Sequence, residues 1–242
     1  MRSFASERYA PITSSIGFLE LPLERVVDGF VTWDRSLGRR TETEPVPFPD
    51  GLERLPPLVG GSRPRRLFAA NGSGWTAYFD CGLRGTDAVS VVGHLSRTLG
   101  CQGVAIRATP HTVGVADGVP ARFGAVQFEL FGPLPTEFMN YVRTVHVTFN
   151  GRAWEFAATG TEQPFEEVDA YRARRVRDRF TSEMLERYCR ALGVDPFEPD
   201  AYGSPAYLVT NDERTEGLQA MSLAEAQQWL GIVPGQVDEL PG

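Results

Sequence analysis

"NYVRTVHVTFNGRAWEFAA", residues 140–158, alternates apolar and polar side chains on both sides of Asn150-Gly151. Period-two alternation marks a strand with one buried face, and Asn-Gly between two such runs is a strong hairpin signal. Just upstream, "ARFGAVQFELFG" (121–132) is a further β-rich run, so the middle of the chain reads as an antiparallel meander. Working outward, "RRLFAA" and "GWTAYFD" flank "NGSG" and predict another hairpin, after which "TDAVSVVGHLSRTL" places Val89, Val92, Leu95 and Leu99 at helical spacing. "GVAIRA" follows as a strand. At the start, "SIGFLEL" (15–21) has strand character, and Pro22 opens a helix with Leu23, Val26, Val27, Phe30 and Val31 on one side.

Toward the C-terminus, a long helix is predicted over about 169–192, with Ala173, Val176, Phe180, Met184, Tyr188 and Leu192 along one face and Gly193 past its end. A short strand "AYLVT" and a helix from Ser222 to Leu230 complete the order. Residues 39–65 hold six prolines and read as a surface connection, with a helical turn at "DGLERL". The expected architecture is a single α+β domain over 1–242, a mostly antiparallel sheet covered by helices.

The chain of 242 residues, 42% of them hydrophobic, is long enough to bury a sizeable core. No apolar run approaches the roughly 20 residues that span a bilayer, and the first residues lack the apolar centre of a signal peptide. The expectation is therefore a cytoplasmic protein with no membrane partner. Cys81, Cys101 and Cys189 are widely spaced and read as reduced core thiols. All 24 basic residues are arginine, and this excludes Schiff-base catalysis and the phosphate-gripping lysines of Walker and kinase motifs. A formal net charge of -7 argues against a general nucleic-acid binder and suits a basic partner.

Candidate site residues gather first at 74–95, "GWTAYFDCGLRGTDAVSVVGHL". Thr86 is expected to cap the helix and Asp87 to complement its dipole, while Trp75, Asp80 and Arg84 have no structural explanation and mark a candidate binding loop. A divalent metal near Asp80 and Asp87 would give a carboxylate enzyme. His94 could meet Cys81 or Cys101 to activate a thiolate, a contact that sequence does not establish. In the predicted long helix, Arg172, Arg175 and Arg179 share a face and form a candidate anion strip, while Arg174-Asp178, Glu183-Arg187 and Glu186-Arg190 are spaced for ion pairs. Glu129 and Glu155 can share one face of the meander, although strands commonly expose glutamates there. No histidine pattern for zinc and no GxSxG elbow is present, and no cofactor is expected.

"GWTAYFD" followed by "GTDA" and a helix, with "FELFG" and the arginine-rich helix, resembles an uncharacterised family of proteins from GC-rich actinobacteria. The likeness covers about residues 16–205 and carries no catalytic motif. Some proteins of this size and acidity are immunity partners of secreted toxins, so the resemblance implies a non-enzymatic protein that binds a basic toxin. A small carboxylate enzyme and an anion-binding module are the alternatives.

Overall fold

The computed structural model describes residues 7–72, 74–113 and 120–233. In chain order, β1 (Ser15–Leu19) leads into α1 (Leu23–Ser36), then β2 (Thr41–Val46), β3 (Leu58–Val59), β4 (Arg65–Asn71), β5 (Trp75–Asp80) and α2 (Ala88–Leu99). The meander follows as β6 (Gly103–Thr109), β7 (Ala125–Phe131), β8 (Tyr141–Phe149) and β9 (Trp154–Gly160). Last come α3 (Ser182–Ala191), β10 (Ala206–Asn211), β11 (Ala220–Met221) and α4 (Leu223–Leu230). Nine strands form one sheet in the order β2-β10-β4-β5-β1-β6-β7-β8-β9, with every neighbouring pair antiparallel. The expected α+β class, a predominantly antiparallel sheet flanked by helices, is the one that forms. Among the described residues, no helix is long and apolar enough to cross a membrane.

Strand alternation divides the core between the two faces of the sheet. On one face, Leu23, Val26 and Phe30 of α1 and Val91, Val92 and Leu95 of α2 bury against Leu19, Phe68, Tyr78 and Ala105. Val92 sits in a notch made by two glycines on adjacent strands. A Cβ on Gly17 or Gly103 would fall 2.6 or 2.5 Å from a Val92 methyl, so only glycine lets α2 approach this closely. On the other face, Phe18, Phe79, Ile106, Phe128 and Val145 meet Met184, Leu185 and Tyr188 of α3.

The helix layer is narrower than the sheet. α2 packs on β1, β6 and the near side of β7, where Gly93 lies against Phe131. Farther out, Thr144, His146 and Thr148 of β8 and Ala157 of β9 are only half-buried on that face, whereas Val145 and Val147 on the opposite face are fully buried. Part of the meander thus keeps a polar, accessible surface.

Two expectations are corrected. The proline-rich 39–65 segment is more than a surface connection: it supplies edge strand β2, paired with β10, and buries Leu52, Leu55 and Leu58 in the core. Its helical turn forms as a 3-10 turn at Asp50–Arg54. The long helix over 169–192 does not form. Only Ser182–Ala191 is α-helical, and two 3-10 turns, Ala170–Arg172 and Val176–Asp178, precede it. Side-chain bonds fold this stretch back on itself, and the Tyr171 hydroxyl also donates to Glu166 just before it. Glu166 holds Arg143 of β8, the Tyr171 hydroxyl meets that of Tyr188, and Arg179 Nε donates to the Ala173 carbonyl. The Thr181 hydroxyl accepts the Met184 N–H, so α3 begins where a capping oxygen is available. The ion pairs change with the backbone. Glu186–Arg190 forms at 2.8 Å, but Arg187 reaches Glu167 and Asp178 lies beside Arg177.

Candidate functional site

The residues singled out in the 74–95 stretch do not converge. Asp80 is completely buried at the end of β5 and organises the turn into α2. Its carboxylate accepts from the N–H groups of Gly82 (2.8 Å) and Asp87 (3.0 Å) and from the Tyr78 hydroxyl (3.1 Å), and lies 3.2 Å from Arg63 Nε. Burial raises its pKa, opposed by Arg63 and by the hydrogen bonds. Asp87 stands at the N-cap of α2 without a side-chain capping bond, and it offers Asp80 its backbone N–H. Among the described residues, no three His, Cys, Asp or Glu side chains group to hold a metal ion. Thr86 does not cap the helix either: its hydroxyl accepts the Asp80 N–H and donates to the Ile12 carbonyl.

Trp75 lies at the opposite end of β5 from Asp80, about 17 Å away at strand rise. Its indole N–H donates to the Leu192 carbonyl at 3.0 Å, tying the sheet to the end of α3. Because the long helix is broken, Arg172, Arg175 and Arg179 share no helical face. Arg172 and Arg175 are exposed, while Arg179 lies over the Phe156 ring at 5.9 Å. His94 stacks on Trp33 with ring centroids 4.1 Å apart. Cys81 belongs to the core on the other face of the sheet from α2, and burial pushes the Cys101 thiol up to about 11, far from a thiolate. Arg84 opens onto a concave surface, a pocket it shares with Arg107 and Trp229.

A larger cleft, of about 730 Å³, lies where the helix layer stops short of the meander. Glu129 of β7, Tyr141 and Thr144 of β8, and Thr159 of β9 form its sheet side, and Glu137 and Phe138 of the β7–β8 loop form its rim. Cross-strand register brings the sheet residues together, since Glu129 pairs with Thr144 and Thr144 with Thr159. Burial pushes the Glu129 carboxyl up to about 7, and among the described residues no cation pairs with it. Tyr141 is pushed up to about 12 by burial and by the nearby Glu129 and Asp87 charges, so it stays a neutral phenol. Arg143 borders the cleft but is committed elsewhere, held at 2.8 and 2.6 Å by both oxygens of Glu166.

The loop over this cleft is pinned at its base. The buried Asn140 side-chain amide donates to the Gly93 and Gly132 carbonyls and to Ser96 Oγ, fastening the loop to α2. Above that anchor, Leu134, Phe138 and Met139 are 72%, 69% and 53% exposed. Phe138 stacks on Tyr141 with centroids 5.6 Å apart, and Met139 holds a positive φ of 55°. A loop anchored at its base that presents three large apolar side chains beside a partly buried acid has the apolar content of an interface centre.

Sequence reasoning set Glu129 aside as an ordinary outward glutamate. Alternation did place Glu129 and Glu155 on one face, but two strand spacings and four residues of offset set them about 16 Å apart. That exceeds the roughly 9.5 Å limit for paired glycosidase carboxylates. Glu155 also accepts a hydrogen bond from Asn150. The available hint was the apolar run "PLPTEFMN" beside "FELF", too many large apolar groups for a solvated turn. No protein-family model, curated protein or solved structure matches this chain, and the assignment of the site rests on its geometry.

Proposed function

We propose that the protein is a non-enzymatic binding protein whose cleft under the β7–β8 loop receives cationic side chains of a basic protein partner. The observation that carries this reading is Glu129, a carboxyl with no paired cation among the described residues, set in a cleft whose rim offers Glu137 and exposed Phe138. An arginine or lysine of the partner would ion-pair with Glu129 and lay its stem against the Phe138 and Tyr141 rings. The net charge of -7 supports the reading, because a surplus of one sign steers an oppositely charged protein toward encounter. An immunity-type role, neutralising a basic toxin, is the form of binding that this charge pattern favours.

The test is a fluorescence-anisotropy titration with a labelled peptide alternating arginine and phenylalanine. Saturable binding is expected at pH 8, weaker at pH 6 where Glu129 is protonated, and reduced about tenfold in Glu129→Gln and in Phe138→Ala. No saturation, or equal affinity in both variants, would overturn the proposal.

The near-neutral Glu129 carboxyl favours a second reading, general acid-base catalysis on a small substrate in the same cleft. That reading expects no peptide binding at all, and the titration separates the two.

A further inference from the structure

A second concavity, of about 430 Å³, opens at the other end of the same sheet face, between the turn after β5, the end of β6 and α4. Arg84 and Arg107 line it together with Ser14, Thr109, Phe123 and Trp229. The Arg84 guanidinium lies over the Trp229 ring at 5.0 Å, which fixes its position without neutralising it. Arg107 Nε donates to the Thr109 hydroxyl at 3.3 Å. Among the described residues, neither arginine is paired with a carboxylate, whereas Arg39, Arg54, Arg63, Arg143 and Arg187 each have one. Crowding by surrounding atoms and the positive charge of Arg84 hold Arg107 below its ordinary value, so the two cations feel each other.

Like charges brought together on an acidic protein, with no carboxylate paired to either among the described residues, leave a local excess of positive charge that a bound anion relieves. Two guanidinium groups present fixed forks of donors that match the oxygens of a phosphate or carboxylate. Arg122 also lines the pocket, and the rest of the wall is uncharged. Trp229 and Phe123 offer ring faces, and Ser14 and Thr109 offer hydroxyls that can also donate to an oxyanion.

We propose that this pocket binds a small oxyanion carrying an aromatic or other flat apolar group, the oxyanion between Arg84 and Arg107 and the apolar group against Trp229. Phosphate monoesters and carboxylates share this chemistry, and the experiment distinguishes them. The site is separate from the Glu129 cleft, and its failure leaves the protein-binding reading untouched.

Phenyl phosphate, phenylacetate and inorganic phosphate are titrated into the full chain at low salt, followed by calorimetry and by the indole N–H resonances of the tryptophans, assigned with Trp229→Phe. Saturable binding is expected for at least one aromatic anion. Its affinity falls about tenfold in Arg84→Met and in Arg107→Met, since each removes a charge-assisted contact. Trp229→Ala should erase the preference for the aromatic anion over inorganic phosphate. The Trp229 indole signal should move while that of buried Trp75 stays in place. Absence of saturation with all three anions overturns the proposal, as does affinity unchanged in both arginine variants. Shifts confined to other tryptophans overturn it too, and that readout needs no arginine variant to fold.

Discussion

Asp80 is completely buried and Glu129 partly so, and their surroundings give them different work. Asp80 has a partner for each oxygen and shapes a turn. Glu129 has none among the described residues, and its carboxyl shifts from an ordinary 4.5 to about 7. A raised folded-state pKa means that the fold prefers the protonated carboxyl. Its contribution to stability is complete below about pH 4.5 and is lost as pH climbs through 7. Each pKa unit corresponds to about 1.4 kcal/mol, and the open mouth of the cleft trims the total, so the loss between pH 5 and pH 8 is about 1–3 kcal/mol. Glu129→Gln removes the titration. Urea melts across this range should show the variant gaining on the wild type by that amount, and a pH-independent difference would disprove the shift.

At the scale of elements, the approach of α2 to the sheet decides where the open face begins. Val92 fills the notch between Gly17 and Gly103, and Asn140 fastens the apolar loop to the same helix through Gly93 and Ser96. Any methyl added in that notch pushes the helix off β1 and β6. Gly103→Ala is therefore expected to destabilise the protein by about 1–3 kcal/mol, the cost of overpacking a close contact, read from the shift of the denaturation midpoint. An alanine tolerated there without loss would mean that α2 is not seated as described.

For the whole molecule, the sheet ties distant parts of the chain together. β10, from the C-terminal part, lies between β2 and β4, while β1 lies at the centre between β5 and β6. No cut along the sequence leaves two self-sufficient sheets, so thermal unfolding is expected as one transition. Far-UV and near-UV circular dichroism should trace coincident melting curves. Two resolved transitions would contradict a single cooperative unit.

The sequence by itself determined which local elements form. Period-two alternation, the Asn150-Gly151 turn, Pro22 ahead of α1 and Ser222 ahead of α4 act over a few residues, and the structure contains those strands and helices. Ser222 and Glu225 even complete a reciprocal capping box. Only the tertiary structure decided the rest. The apolar spacing across 169–192 resembles a helix, yet the chain runs through two 3-10 turns held by side-chain bonds of Tyr171 and Arg179, and Arg172, Arg175 and Arg179 are dispersed. Strand order was not legible either, because pairing β10 with β2 and β4 depends on contacts some 140 to 170 residues apart in the chain, which carry no local pattern. Glu129 has the alternation of any outward strand glutamate. It becomes distinctive because the helix layer ends beside it and the Asn140-anchored loop rises over it, leaving a partly buried carboxyl with no paired cation among the described residues. That is a property of its three-dimensional surroundings, and one-dimensional spacing does not encode it.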